Sequence, residues 1–484
     1  MPARTGAELL AALNGQRRDV WVGGEHITAN VAEHPAFRGI ARSLAQLYDM
    51  QHDPALRDEL TYVLPSSGER VGMSFLIPKT RDDLERRRRA MYRWASHVGG
   101  MLGRTGDYLN SAVMAMAAGA DFFAQVDPRF AANVRNYYEF VREKDLLLTH
   151  TLINPQANRA VGVAKQADPF LAARIVQETD AGIVVRGARM LATLGPISDE
   201  IMVFPSTLLK AVPEDEPYAF AFAVSNDTPG LRYICRETYD YGRSHFDHPL
   251  GSRFEEMDCI VVFDDVLVPW ERVFMLRHPD ICNQLYQATG AVVHMAHQVV
   301  TKNVAKTEFV LGVVLMMIDS IGIEPFQHVH EKALEVMSAL EIMRALLHTA
   351  EVDAALDAYG TMTPAFAPLN TARNWYPRTY PRFTQIIQQL GASGLMALPT
   401  EADFAAEVRG DLDRYLQAAR ADAAERVKLF RLAWDIAVSA FGSRQALYEH
   451  FFFGDPVRMA GAYYGWYDKK PYMDRVREFL DRED

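Results

Sequence analysis

The sequence predicts an α+β fold that is mainly helical, in three parts: a helical N-terminal domain over 1–149, a β domain over 150–277 and a C-terminal helical bundle over 278–484. Three observations carry this expectation. Apolar residues recur at helical spacing up to His150. Short β-branched and aromatic runs separated by turn signals follow. Long single-striped helical patterns then run from about residue 285 to the end. A chain of 484 residues is also too long for one ordinary core.

In chain order, TGAELLAALNG opens on Thr5 as a helix N-cap and closes on Gly15. HPAFRGIARSLAQLYDM and DDLERRRRAMYRWASHVGGML read as two further helices, and Asp127-Pro128 starts another as an N-cap and first-turn pair. The basic run Glu85–Trp94 reads as a solvated helix face paired with neighbouring acids. After His150, TLINPQANR reads as a loop. GIVVRG, IMVFPS, YAFAFAV and CIVVFDDVLVP read as strands, with PEDEP and NDTPG as turns and the β region ending near Pro269-Trp270. In the bundle, Val310, Val314, Met317 and Ile321 form one stripe. Ala333, Val336, Leu340, Met343 and Leu347 form a second, and Val427, Phe430, Trp434, Ala437 and Phe441 a third. The apolar run Phe309–Ile318 is shorter than the about 20 residues a membrane crossing needs and reads as a buried helix. A β domain between helical ones offers a cleft of the kind that holds cofactors.

Composition narrows the function classes. Hydrophobic residues at 49% and charged residues at 23% describe a soluble globular chain. A net charge of −11 argues against a nucleic-acid binder. MPARTGAELL lacks the apolar core of a signal peptide. Cys235, Cys259 and Cys282 show neither CxxC nor metal-ligand spacing, so a cytoplasmic protein without structural disulfides or a bound metal is expected. P-loop, GxGxxG, HExxH and GxSxG motifs are missing, which removes the nucleotide-binding and hydrolase classes those motifs mark.

The residues themselves suggest an oxyanion site. In GRTGDYLN (Gly103–Asn110), Arg104 and Tyr108 are four apart and share one helix face. A planar cation beside a phenol could hold a small oxygen anion such as a phenolate, although from this octamer alone an Arg over a helix end and a Tyr in a domain seam is the commoner arrangement. His150 lies at the join of the helical and β regions. Thr193, Ser206 and Thr207 offer hydroxyls either for an uncharged anion site or for ordinary turns. His245 and His248 around Asp247 read as a turn, and His294 and His297 share a helix face without an acidic ligand nearby.

Five motifs taken in order carry a resemblance: GRTGDYLN, THTLINPQANR, ETDAGIVVRGARMLATLGP, HPLGSRFEEMDCIVVFDDVLVPWERVF and FGSRQALYEHFFFGDP. Over roughly residues 5 to 470 the chain resembles the oxygenase component of the 4-hydroxyphenylacetate 3-monooxygenase family, the two-component, reduced-flavin-dependent phenol hydroxylases. The resemblance implies an acyl-CoA-dehydrogenase-like fold with a middle β-barrel, a homotetramer, and FADH2 delivered by a separate flavin reductase. It implies O2 as co-substrate and a flavin C4a-hydroperoxide that ortho-hydroxylates a small phenol such as 4-hydroxyphenylacetate to a catechol. Arg104, Tyr108 and His150 match the positions that grip the phenolic oxygen. Ser206 and Thr207 match the pair that holds the substrate carboxylate, and Lys210–Phe220 matches a lid. His150, Gln156, Asn158, Arg159, Thr193, Phe452, Phe453, Gly454 and Asp455 match flavin contacts, with Phe453 standing where some members carry Ser. Related members take chlorophenols, tyrosine-like or carrier-bound tyrosyl substrates. A 4-hydroxybutyryl-CoA dehydratase would need cluster-binding cysteines, which are missing where Arg104 and Tyr108 stand. An acyl-CoA dehydrogenase would need a catalytic Glu at the flavin.

Overall fold

The computed structural model describes residues 3–155, 157–205, 209–240 and 242–482. The N-terminal helices begin where their caps predict. Thr5 and Glu8 form a capping box on Gly6–Gly15, and Asp127 caps Pro128–Glu143. Thr80 and Asp83 do the same for Arg81–His97. The basic run on that helix is not wholly solvated. Arg88 and Arg93 reach Glu351 and Glu59, but Arg87 is turned inward, where it donates to Ser111 Oγ at 3.0 Å.

The region before His150 also supplies strands. Asp19–Val22 and Glu25–Ile27 form a hairpin closed by Gly23-Gly24, both at positive φ (58° and 85°). Such a two-glycine turn between short apolar runs is a hairpin signal, one that a search for helical stripes passes over. Asp19–Val22 then pairs in parallel with Leu231–Cys235, so the N-terminal segment is sewn into the middle sheet.

That middle region is two sheets. One has the order Glu25–Ile27, Asp19–Val22, Leu231–Cys235, Asp258–Pro269, Gly182–Thr193, Arg174–Thr179. The other has the order Val273–Leu276, Phe220–Ser225, Glu200–Val203, Leu148–Thr151, which carries strand structure past the expected end at Pro269-Trp270. Phe222 and Phe263 meet between the sheets at 6.0 Å. The sheets join along the seam between Leu148–Thr151 and Gly182–Thr193. There Thr149 Oγ1 donates to Thr193 O (2.5 Å), Thr151 Oγ1 donates to Met190 O (3.0 Å), and Ile153 bridges Met190. The expected barrel thus takes the form of two sheets sharing one seam, and His150 sits on the strand at that seam.

The bundle comprises Ala291–Ile321, Gln327–Val352, Phe366–Gly391, Ala423–Ala437 and Ala440–Phe451. Val310, Val314 and Met317, the five-residue stripe Ala333 to Leu347, and Val427, Phe430, Ala437 and Phe441 are all buried. The run Phe309–Ile318 is buried on one side only; Leu315 and Met316 face outward, because a helix surrounded by partners on part of its circumference leaves the rest open. No described helix is long and apolar enough to cross a membrane. The last two helices, Pro456–Trp466 and Lys470–Leu480, contain no buried residue.

Candidate active site

The chain leaves helix Arg81–His97 through Gly99 and Gly100, both at positive φ, and runs against the bundle. At Gly103 it passes so close to Tyr448 that a Cβ would lie 2.1 Å from the phenol oxygen. Thr105 then starts helix Gly106–Ala118. This route places Arg104 just before the helix and Tyr108 in its first turn, with the guanidinium carbon 4.5 Å from the Tyr108 ring. From the other side, the β seam presents His150, whose ring lies 5.8 Å from that of Tyr108. Arg104, Tyr108 and His150 therefore converge from two distant stretches of chain.

Aromatic side chains wall this meeting point. Phe452 lies 4.5 Å from the Arg104 guanidinium and 5.5 Å from the Tyr108 ring, and Phe204 lies 6.0 Å from His150. Inside, polar atoms are left over. Arg104 Nη1, His150 Nδ1 and the hydroxyls of Tyr286 and Tyr448 are buried without a hydrogen-bond partner among the described residues. Each such atom costs about 1–3 kcal/mol, which a bound oxygen would relieve. Burial, with the Arg104 charge adding to it, holds the His150 imidazole pKa well below its ordinary value, so the ring is neutral near pH 7. Burial raises the Tyr108 pKa against the pull of Arg104, so its hydroxyl stays a donor. The meeting point thus brings together a fixed cation, a neutral imidazole and phenolic donors.

A buried ion network holds this arrangement. Glu256 Oε1 accepts from the backbone N–H groups of both Gly103 and Arg104 at 2.7 Å, and Glu256 Oε2 pairs with Arg444 at 3.1 Å. Arg444 also reaches both oxygens of Asp258 (2.7 and 2.9 Å), and Asp258 accepts from Thr193 Oγ1 at 2.7 Å. Burial works against the Asp258 charge, but Arg444 and Arg236 overcome it and keep the carboxylate ionised. Glu256, Arg444, Tyr448 and Tyr286 were not singled out in the sequence. Arg444 and Tyr448 do recur at four-residue spacing with Phe452, already a candidate, a helix-face signal that marks both. Nothing in the spacing marks Tyr286 or Glu256.

The candidate flavin residues are placed differently. Asn158 and Arg159 are exposed on the loop after the seam strand. Thr193 is buried, with its hydroxyl proton given to Asp258. Phe452 lies against Arg104 and Tyr108, and Phe453 packs edge-on against it at 5.1 Å while facing Arg373. Gly454 has a φ of 116°, and Asp455 caps the helix Pro456–Trp466. Gln156, Ser206 and Thr207 lie outside the described residues. The segment matched to a lid contains a short turn, Pro213–Tyr218, whose Tyr218 hydroxyl donates to Pro169 O at 2.9 Å. His294 and His297 share a face, but the expected lack of an acid nearby does not hold: His297 Nε2 lies 2.8 Å from Glu351 Oε1, brought in from the facing bundle helix, while His294 faces Thr363. Among the described residues no group of three or more His, Cys, Asp or Glu could hold a metal ion.

Two adjoining family models match this chain: the N-terminal domain of 4-hydroxyphenylacetate 3-hydroxylase over residues 5–275 and its C-terminal domain over residues 282–481. The chain belongs to the 4-hydroxyphenylacetate 3-hydroxylase family. Within this family it is 54% identical to the 4-hydroxyphenylacetate 3-monooxygenase oxygenase component of Geobacillus sp. (strain PA-9), over 99% of this chain and 97% of that one. It is 53% identical to the namesake protein of Thermus thermophilus, with 99% and 97% covered. A crystal structure of a 4-hydroxyphenylacetate 3-monooxygenase oxygenase component in complex with FAD and 4-hydroxyphenylacetate superposes with a TM-score of 0.95 at 53% identity, covering 99% of this chain and 98% of that chain.

Proposed function

We propose that this chain is the oxygenase component of a two-component monooxygenase that uses FADH2 and O2 to hydroxylate 4-hydroxyphenylacetate, or a close phenolic relative, ortho to its hydroxyl. The observation that carries this reading is the convergence of Arg104, Tyr108 and His150 among aromatic side chains, with Arg104 Nη1 and His150 Nδ1 buried and unpartnered among the described residues.

Reduced flavin with O2 supplies the electrophilic oxygen atom; the protein supplies binding, orientation and charge. A phenol whose oxygen enters the trio meets three complementary groups. His150 Nδ1 accepts a hydrogen bond from the phenolic O–H, Arg104 favours the phenolate form by its charge, and Tyr108 donates a hydrogen bond that fixes the ring's angle. Ionisation raises electron density at the ortho carbon, which is what an electrophilic oxygen requires. The aromatic walls keep water away from the reacting atoms.

The residues present suit FAD. Exposed Ile153 and Leu191 border the seam beyond His150 and offer an apolar ledge for a flat ring system. Asn158 and Arg159 on the adjoining loop supply donors and a positive charge for a diphosphate. Gln156, Thr193, Phe453, Gly454 and Asp455 complete the proposed flavin contacts, and Ser206 and Thr207 the proposed carboxylate contacts. The three domains are taken as 1–149, 150–277 and 278–484. Val457, Tyr464, Phe479 and Leu480, exposed on the last two helices, support assembly into a homo-oligomer such as a tetramer. A separate flavin reductase and a cytoplasmic location complete the reading.

The test is catechol formation from a panel of phenols, with FADH2 supplied by an unrelated reductase. Stoichiometric hydroxylation of 4-hydroxyphenylacetate supports the reading. Oxygen consumption without catechol from any phenol refutes it.

A further inference from the structure

Cys235 and Cys259 face each other across the antiparallel strands Leu231–Cys235 and Asp258–Pro269, with their sulfurs 3.3 Å apart. The register shows what kind of pair this is. Arg236 N donates to Asp258 O at 3.2 Å, and Asp264 N donates to Gly230 O at 2.9 Å, so those opposed pairs are hydrogen-bonded. Hydrogen-bonded and non-hydrogen-bonded pairs alternate along an antiparallel ladder, which makes Cys235 and Cys259 a non-hydrogen-bonded pair. Such pairs have Cα atoms about 4.5 Å apart, within the range a disulfide spans.

The two thiols differ in access. Cys259 is buried, whereas Cys235 is half-buried and lines a surface cavity of about 490 Å³ together with Trp21, His26, Arg232 and Ile234. Burial, with Cys235 beside it, pushes the Cys259 thiol pKa well up, so Cys259 is the poorer nucleophile toward an oxidant. Cys282 is buried on the separate helix Pro279–Ala288.

We propose that Cys235 and Cys259 form a reversible oxidation site, converted by hydrogen peroxide into an intramolecular disulfide. In the first step the Cys235 sulfur attacks peroxide, the O–O bond breaks, and Cys235 sulfenic acid and one water result. In the second step the Cys259 sulfur displaces the sulfenic oxygen, which leaves as a second water carrying the thiol proton. The sulfurs lose two electrons in all and peroxide gains them. The buried Cys259 makes the second step the slow one. Peroxide is what a reduced-flavin oxygenase releases when oxygen is consumed without hydroxylation, yet the site does not depend on that reading, because peroxide can be added directly. The bond would form one residue from Asp258, the anchor of Arg444 and Thr193.

The experiment treats the reduced full-length protein with hydrogen peroxide, and in parallel with diamide, then unfolds it and counts thiols. The expected result is a fall from three free thiols to one, an intact-mass loss of about 2 Da, a Cys235–Cys259 linked peptide, and full reversal by dithiothreitol. Cys235→Ser and Cys259→Ser should each abolish the mass loss. Three free thiols after both oxidants, or Cys235 over-oxidised with Cys259 still free, would overturn the proposal; both readouts use the wild-type chain and need no variant to fold.

Discussion

Arg444 and Glu256 form a buried ion pair at 3.1 Å, and the other oxygen of that carboxylate holds the backbone N–H groups of Gly103 and Arg104. One carboxylate thereby ties the last bundle helix to the loop that aims Arg104. Glu256→Gln leaves a single acceptor oxygen for work that two oxygens do. It should destabilise the fold by about 3 kcal/mol, the lower end for breaking a buried pair, since Asp258 still holds Arg444. The KM for the phenol should rise about tenfold and catechol formed per FADH2 should drop. Urea unfolding and product analysis check both effects, and an unchanged product yield would remove Glu256 from positioning.

Arg104→Lys keeps the charge but loses the planar fork, and His150→Ala removes the hydrogen-bond acceptor for the phenol. Each should lower catechol formation by about 10² or more while the variants still consume oxygen with FADH2. Oxygen uptake measured beside catechol yield separates the two processes. Full catechol yield in both variants would take the trio out of the mechanism.

Because the His150 imidazole pKa is held well below its ordinary value, phenol binding should show no acid limb between about pH 6 and 7.5. A titration of KM against pH over that range checks this. A limb near pH 6.5 would mean that the ring is solvated.

Asp107, next to Tyr108, carries a carboxyl whose pKa burial pushes up to about 6 from 3.8. The folded state then holds this proton more tightly than the unfolded chain. Its contribution to stability is full below the unfolded value and is lost as pH rises toward 6, by about 3 kcal/mol. Asp107→Asn, which retains an oxygen for Thr105 and Gln298, should be more stable than wild type at pH 7 and lose that advantage by about pH 4. Melting curves at both pH values test the sign.

Beneath Tyr448 and Phe452, Glu449 Oε1 pairs with Lys302 at 2.5 Å and Lys306 at 2.7 Å, all three side chains being buried. Burial lowers the Lys306 pKa to about 8 despite Glu449. Glu449→Gln removes the counter-charge that Lys302 and Lys306 share and should cost about 3–5 kcal/mol. Adding Lys306→Met should restore part of that loss, and a double-mutant cycle by denaturant unfolding measures it.

Much of the fold is legible in the residues. Caps at Thr5 and Asp127, the strand runs from Gly182 to Pro269 and the bundle stripes all appear where local pattern places them. The hairpin Asp19–Ile27 was also readable from its two glycines but is too short to announce itself beside long helices. Arg87, inside the basic run, is marked only by its place on the helix, three residues after buried Leu84 and four before buried Met91; its charge masks that stripe, and Arg86 and Arg88 beside it are half-buried.

What the sequence determined alone is whatever depends on neighbours within about a turn or a strand: element types, the Arg104–Tyr108 spacing, and the motifs that carry the family resemblance. What only the tertiary structure decided is which distant groups share a pocket. His150 reaches Tyr108 because a strand seam meets a helix start, Glu256 reaches Arg104 across 152 residues, and Cys235 meets Cys259 through register. Those contacts are set by how whole faces are buried against each other, a collective balance that no local window of residues contains.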